Sequence, residues 1–406
     1  MSRRIVFINR FFYPDHSATS QLLSDLAFHL ATRNHQVNII TSRLLYDNTI
    51  VMLPKYENIA DVNIHRVYTT RCGRVHLIGR LLDYLSFYIS AAVRLWQLVH
   101  RNDVIVVKTD PPLLSLLVWT VIRFRHVTII NWLQDIYPEI AVVHGMRVLR
   151  GPLGKMIRLL RNRSLKRAYS NIVISSGMRQ KLLNTGIPAN LIQIIPNWVN
   201  DEMIKPIDTH QNILRREWNL EEKFVVGYSG NLGHAHDIET VLGAIRNLQN
   251  RPDICFLFVG GGRGFSELEE VITKQSLNNV IFKPYQLHEI LALSLTLPDL
   301  HWVSLRPEME GLVVPSKFYG IAAAGRPVLL IADEEGDLSR LVKSYHCGRV
   351  ISPGDSDALV EDIIALEANR GLCEDMGLNA RKLLEMTYSR SRALAQWEEV
   401  LNVAIV

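Results

Sequence analysis

The feature that most constrains this chain is an alternation. Short β-branched runs recur along the first 200 residues, and longer stretches with helical spacing lie between them. The runs are IVFIN (5–9), VNIITS (37–42), VNIHRVYT (62–69), VIVVKT (104–109), VTIINW (127–132), NIVISS (171–176) and IQIIPN (192–197). Between them, SQLLSDLAFHLATRN carries leucines at helical spacing and ends near Asn34, a residue suited to a helix C-cap. Strands that alternate with helices imply a parallel sheet covered on both faces. The pattern starts again in the second half with KFVVGYSG, ICFLFVGG, VIFKPY, LHWVSL, PVLLIA and CGRVIS. The break between the halves is PNWVNDEMIKPIDTH, a polar segment with two prolines, near residues 197–206. The expected fold is therefore α/β, with two Rossmann-like domains, 1–200 and 201–385, facing a cleft. A terminal helix, 386–406, is expected to pack back on the first domain. In such sheets ligands bind outside the carboxyl ends of the strands, so the loops that follow strands are where chemistry is expected.

A length of 406 residues suits two or three domains. No uninterrupted apolar run of about 18 residues occurs, so no transmembrane helix is expected. The start, MSRRIVFINRFFYPDHS, has a short apolar run broken by Asn9 and Arg10, and reads as a buried strand rather than a signal peptide. Four cysteines, Cys72, Cys255, Cys347 and Cys373, lie far apart without a CxxC pair. That spacing argues against a zinc site or a disulfide framework and suits a reducing cytoplasm.

The net charge of +5 hides an asymmetry: residues 1–205 hold 26 Lys and Arg against 12 Asp and Glu, and residues 206–406 hold 19 against 28. No acid occurs between Glu139 and Asp201, where ten Lys and Arg lie, eight of them between Arg147 and Arg167. A basic half and an acidic half suggest two domains with different partners. VHLIGRLLDYLSFYISAAVRLWQLVH (75–100) is apolar over most of its circumference, and GPLGKMIRLLRNRSLKRAY (151–169) mixes Leu, Met and Ile with cations. Basic amphipathic stretches lie on anionic membranes, so a peripheral position on the inner face of the cell membrane is expected. A buried helix and a solvated basic face are the respective alternatives. No nucleic-acid module is visible and the aromatics do not interleave with the cations, so nucleic acid is not an expected partner.

Several strand-end loops carry candidate residues. The richest is PEMEGLVVPSKFYGIAAAGRP (307–327). Ser316 stands at an N-cap position, Lys317 to Ala324 form a short helix, and Gly325 is its C′ residue. Free N–H groups at a helix start bind phosphate, and Lys317 opposes the helix dipole unless an anion sits beside it. Gly320 costs such a helix about 1 kcal/mol against alanine, which suggests a close approach to the backbone. A tightly packed βα turn, with Gly320 against the sheet, is the alternative. In GYSGNLGHAHDIETVL, Gly230 and Gly233 permit a tight turn, and Asn231, His234 and His236 supply polar groups suited to a diphosphate. The dinucleotide fingerprint GxGxxG is absent, and an ordinary turn with surface histidines fits equally. FVGGGRGFSELEE lacks GK[ST], so it is not a Walker A loop. In the first half, NWLQDIYPE places Asp135 just past a strand, as a reacting group or as a helix N-cap. FFYPDHSATSQLLSDL offers Asp15, His16, Ser17 and Thr19, with His16 suited equally to a surface or capping role. Asp355-Ser-Asp357 has the form of a metal-binding DxD, but a helix cap suits it better, and no metal or other cofactor is expected.

Taken in order, these segments resemble the retaining, GT-B fold glycosyltransferases of family 4 over nearly the whole chain. YPDHSATSQLLSDLAFHLATRNHQVNIITS is similar to the family's first loop, helix and second strand. VISSGMRQKLLNTGIPANLIQIIPNWVN is similar to its stretch ending in IPNGV. GYSGNLGHAHDIETVLGAI, FLFVGGGRGFSELE and EGLVVPSKFYGIAAAGRPV resemble parts of its donor domain. Bacterial members that build exopolysaccharide, capsule or O-antigen are the nearer likeness.

The resemblance implies a nucleotide sugar, UDP-linked, in the second domain and a lipid-linked or saccharide acceptor in the first. Glu310 matches the first glutamate of the family's E-x7-E motif, which contacts the transferred sugar. Gly311, Leu312 and Val313 would run beside that sugar, and Ser316 with Lys317 would meet the diphosphate. Gly230 would sit in the glycine turn of the donor site. Pro284, Tyr285 and Gln286 fall where the family holds the base. His16, Ser17, Thr19 and Asp135 lie on the acceptor side, and Glu310, Lys317 and Asp135 are the catalytic candidates. The chain departs from the family in four respects. Gly320 stands where the second, ribose-holding glutamate is usual. Asn231 and His236 replace an Arg/Lys pair, with Lys317 available to supply the charge. Gln134 replaces a histidine beside Asp135, and Ser17-Ala18 replaces a double glycine. These departures keep two other readings open: a nucleotide-sugar epimerase or other non-transferring enzyme of this fold, and a degenerate nucleotide-sugar-binding protein.

Overall fold

The expected strands pair in two sheets. The computed structural model describes residues 4–405 apart from 47, 49, 74–76 and 234–235. The chain divides into two units, Met1–Pro196 with Ala393–Val406, and Asn197–Arg392. The first unit contains β1 (Arg4–Ile8), β2 (Gln36–Ser42), β3 (Tyr56–Ile59), β4 (Val62–Val67), β5 (Val104–Lys108), β6 (Thr128–Leu133), β7 (Ser170–Val173) and β8 (Ile192–Ile194). They stand in the order β3-β4-β2-β1-β5-β6-β7-β8, parallel throughout except for β3. The β3 strand was not expected. Its four residues, YENI, carry no apolar run, and it exists because Ala60 and Asp61 both take positive φ (46° and 62°) and fold it back on β4 as a hairpin.

Helix Leu77–Leu98 and helix Leu114–Ile122 cover one face of this sheet. Phe87, Ala91 and Leu95, spaced four apart, lie on one side of the first helix and pack with Val6, Ile8, Ile105 and Val107. The helix is therefore buried along one side only. Its other side is apolar yet exposed: Ile78, Leu81, Leu82, Leu85, Ile89, Val93 and Trp96 all face solvent. No helix among the described residues is long and apolar enough to cross a membrane.

The last helix runs Arg390–Ile405, four residues later than the sequence suggests. Leu384–Tyr388 instead form a π-helical turn that brings buried Tyr388 against Tyr319, with ring centroids 5.2 Å apart. Beyond it, Trp397 is fully buried against Trp132 of β6 (centroids 4.6 Å), and Glu398 pairs with His29 (2.6 Å) and Arg33 (3.3 Å) of helix Ala18–Thr32. The final residues thus complete the first unit's second helical face.

The second unit holds β9 (Phe224–Asn231), β10 (Ile254–Gly261), β11 (Val280–Lys283), β12 (Leu300–Ser304), β13 (Val328–Ile331) and β14 (Gly348–Ile351), ordered β11-β10-β9-β12-β13-β14 and all parallel. Its core is aromatic, with Tyr228 stacked on Trp302 at 4.5 Å. In each sheet the chain order reverses about one strand: β1 lies between β2 and β5, and β9 between β10 and β12. The connections leaving these neighbours run to opposite faces and open a crevice at the carboxyl edge, which singles out the loops after β1, β5, β9 and β12.

Trp397→Ala should lower first-unit stability by about 3 kcal/mol or more, the usual cost of deleting a buried indole. Denaturation followed by tryptophan fluorescence checks this; a midpoint like that of the wild type would mean that Trp132 is covered in another way.

Candidate active site

In the second unit the crevice is organised by one cation. Lys317, the first residue of helix Lys317–Ala323, reaches back under the turn that ends β9. Its Nζ donates to the Asn231 carbonyl (3.2 Å), lies 3.2 Å from His236 Nε2, and sits 5.1 Å from the centre of the Tyr228 ring. Gly230 makes that reach possible. Its φ is +125°, and a Cβ there would lie 2.9 Å from Lys317 Cε. Behind Lys317, His236 Nδ1 meets the Ser304 carbonyl at 3.1 Å. Burial, reinforced by the Lys317 charge, pushes the His236 imidazole down to about 3, so it is neutral and available as an acceptor. Burial also pushes the Lys317 ammonium down to about 8. No carboxylate partner of Lys317 occurs among the described residues. The surface-histidine reading fails for His236, which is buried, and His234 lies outside the described residues.

The rest of the 307–327 loop is more constrained than its sequence suggests. Ser316 stands at the expected position but does not cap: its backbone is already helical (φ −62°, ψ −19°) and its side chain accepts no N–H. Gly325 takes φ +64° just past the helix, as expected of a C′ residue. Glu310 is half-buried, and its Oε1 accepts from the Asp337 amide (2.8 Å) at the start of helix Asp337–Ser344. Burial raises its pKa, and this hydrogen bond opposes the rise. Gly311 takes φ +70°, and Leu312 is buried in the core, so residues 311–313 can offer a ligand mainly backbone. Gly320 is not explained by packing: an added Cβ would meet only Leu295 Cδ1, at 3.4 Å. Tyr285 is exposed beyond β11 and leans over Gly261, and Gln286 Nε2 donates to the Pro284 carbonyl (2.7 Å).

The first unit carries its own cluster at the ends of β5 and β6. Asp135 Oδ1 accepts from Thr109 Oγ1 (3.2 Å), and the same hydroxyl oxygen accepts from the Gln134 amide (3.2 Å). Burial, then the neighbouring Asp110 carboxylate, pushes Asp135 up to about 7. The residue as a whole is half-buried. It is not a helix cap, because the next helix, Glu139–Val143, starts four residues later behind Pro138. Lys108 is fully buried, its Nζ 3.4 Å from the Trp132 ring centre, and burial drives its pKa well down. In the loop after β1, Asp15 points inward rather than toward a ligand. Its carboxylate accepts from Ser17 N (2.9 Å), Ser17 Oγ (2.5 Å) and the Tyr46 amide. Ser17 is thereby engaged, His16 is exposed with its carbonyl held by Gln21 (2.9 Å), and Thr19 is half-buried.

Two sequence profiles match consecutive parts of the chain. The one described as "Glycosyl transferase 4-like domain" matches residues 19–198, and "Glycosyl transferases group 1" matches residues 210–383. The chain belongs to the GT-B glycosyltransferases of family 4. The putative colanic acid biosynthesis glycosyl transferase WcaI of Escherichia coli is 25% identical to this glycosyltransferase, across 95% of this chain and 96% of its own. Sucrose-phosphate synthase from Thermosynechococcus elongatus superposes with a TM-score of 0.77 at 17% identity, over 98% of both chains. Anabaena HepE in complex with UDP-glucose superposes with a TM-score of 0.71 at 17% identity, over 98% of this chain and 99% of HepE.

Four residues of this glycosyltransferase's clusters escaped the sequence reading: Tyr228 beneath Lys317, Ser304 behind His236, Asp337 against Glu310, and Asp110 beside Asp135. Ser304 ends β12, and Asp110 follows β5 by two residues, so attention to every strand end would have found both. Asp355, by contrast, caps helix Ser356–Ala368 through Ala358 N (2.9 Å), the role expected for it.

Removing the acceptor at Asp337, as in Glu310→Ala, should cost about 1 kcal/mol, whereas Glu310→Gln keeps an acceptor oxygen and should stay near wild type. Chemical denaturation of both variants checks the order; equal midpoints would show that the contact does not stabilise the helix.

Proposed function

We propose that this glycosyltransferase moves a sugar from a UDP-linked donor to a lipid-linked or saccharide acceptor in cell-surface polysaccharide synthesis, with retention and without a metal. The observation that carries the reading is Lys317: a desolvated cation with no opposing carboxylate among the described residues, held under a glycine turn at the switch point of the second sheet. A ligand with negative charge would supply what Lys317 lacks. The shared fold with a UDP-glucose-bound protein and the likeness to WcaI support a nucleotide sugar and a polysaccharide context. Among the described residues no group of three His, Cys, Asp or Glu side chains is arranged to hold a metal ion, and Lys317 supplies a cation under the glycine turn.

In the reaction the bond between the sugar's anomeric carbon and the diphosphate breaks, and the electron pair leaves with UDP. Lys317 opposes the charge that grows on the diphosphate, in a site already shaped for it. Ser316 and the 311–313 backbone line the same loop, and Glu310 orients the sugar hydroxyls, exchanging its Asp337 contact for them. The acceptor oxygen bonds to the anomeric carbon on the departing face, which keeps the configuration. Its proton passes to Asp135, the half-buried acid at the acceptor side, with His16, Ser17 and Thr19 on the loop after β1. Tyr285 and Gln286 border the base.

The exposed apolar side of helix Leu77–Leu98, and the exposed cations that follow it, support a peripheral position on the cytoplasmic membrane face.

Lys317→Ala should cut transfer by about a hundredfold, the scale of losing one preorganised electrostatic group, with the fold intact; near-normal turnover would sink the assignment. The rate should rise with pH through about 7 as Asp135 ionises, and fall above about 8 as Lys317 loses its proton. Asp135→Asn should remove the rising limb, and an unchanged profile would take the base role from Asp135. Activity should survive a strong chelator; loss restored by a divalent cation would overturn the metal-free step.

A further inference from the structure

Helix Leu114–Ile122 leaves the carboxyl end of β5 and delivers the chain to the amino end of β6, and helix Pro152–Lys166 delivers it to the amino end of β7. Residues just beyond these helices therefore lie at the sheet edge opposite Asp135. There the two helix ends form an open depression of about 450 Å³ lined by Trp119, Arg123, Phe124, Leu160, Arg163 and Arg167. Three guanidinium groups share it, and none has a carboxylate partner among the described residues. Two are steadied by rings instead: Arg167 lies 5.4 Å from the Trp119 ring centre and Arg123 4.5 Å from that of Phe124. Phe124 itself is 84% exposed. Beside the depression Arg125 stacks on Trp96 at 4.2 Å, and Trp96 ends the exposed apolar row that begins at Ile78. Leu153, Met156 and Leu159 extend the apolar surface along helix Pro152–Lys166.

We propose that this depression seats the phosphate of an anionic lipid headgroup, with the flanking apolar side chains in the acyl layer. The inference rests on the membrane reading given above and adds a specific anchor to it. Three points argue for it. Guanidinium groups are planar donors matched to phosphate oxygens, and here they converge with no carboxylate partner among the described residues. The walls are aromatic and aliphatic, as a group entering an interface requires. The depression is continuous with an apolar row that runs the length of a 22-residue helix, about 33 Å. A soluble phosphate would need only the cations. Lying at the far edge of the sheet, the anchor would hold the membrane along the flank of the unit and leave the Asp135 edge free for acceptor.

The test uses the full chain and phosphatidylcholine vesicles that carry either phosphatidylglycerol or an equal surface charge of fatty-acid carboxylate. Wild type should bind the phosphatidylglycerol vesicles about tenfold more tightly, the scale of one or two cation–headgroup contacts. Arg163→Gln/Arg167→Gln should bind both vesicle types alike. Arg150→Gln/Lys155→Gln, which removes the same charge from the same region outside the depression, should weaken both by one factor and keep the preference. Thermal midpoints and UDP binding should be unchanged in both double variants. If wild type binds the two vesicles equally, or if the Arg150/Lys155 pair also erases the preference, the headgroup site is wrong while the membrane reading stands. If wild type ignores both vesicles, the membrane reading falls with it. Displacement from vesicles by inorganic phosphate would reassign the depression to a soluble anion and overturn the lipid assignment.

Discussion

A cation with no carboxylate partner among the described residues is the constraint around which the second unit is arranged. Lys317 is drawn out of water beside the Asn231 carbonyl, a neutral imidazole and an aromatic face. These are acceptors and a quadrupole, not an anion, so the local charge stays unbalanced until something negative arrives. The surrounding structure follows from keeping that state tolerable. Gly230 leaves room for the lysine stem, Ser304 fixes the imidazole from behind, and Tyr228 stacks on Trp302 to hold the ring below. Gly230 and Tyr228 come from β9 and Ser304 from the end of β12, and the parallel pairing of these two strands brings them together.

Much of the architecture was legible because buried parallel strands have a strong sequence signal: near-continuous β-branched runs with helical stretches between. Where the signal is weak the reading failed for physical reasons. The β3 strand is polar and rests on a two-residue turn, so neither its period nor its composition marks it. The last helix starts late because Tyr388 is claimed by Tyr319, a contact that spans about seventy residues of sequence and leaves no local trace. Candidate positions fared in the same way. Lys317 and Gly230 were readable as residue types in strand-end loops, but their contact was not. Ser316 looked like a cap because serine usually is one, and the backbone there had already turned helical. Asp15 looked available, and proved to be the tie that holds its own loop to Tyr46. Gly320 looked like a packing requirement, and space for a side chain lies beside it. Propensity identifies what a residue can do; which partner it meets is decided by topology.

The two units differ in how they treat charge. The first collects several cations on an exposed helical flank beside bare apolar side chains, and buries some of its carboxylates, among them Asp15, Asp83 and Asp103. Burial and a second carboxylate raise Asp135 to the range where it can exchange a proton near neutrality. The second unit is net acidic in sequence yet places a desolvated cation, Lys317, at its switch point, with Arg306 close by at the His236 carbonyl. Such opposition between bulk charge and local charge is the mark of a site that is set by desolvation rather than by net field.

The return of the final helix to the first unit has a consequence for the order in which the molecule can be built. A ribosome releases residues 1–196 long before residues 393–406, and at about 5–20 residues per second the interval is roughly 10–40 s. Throughout that time Trp132 lacks the indole of Trp397 that later packs on it. The second unit, encoded later, is complete in sequence when Arg392 emerges. The half that begins the chain is thus the last to be finished, and its unfinished face is one that nascent-chain chaperones would meet.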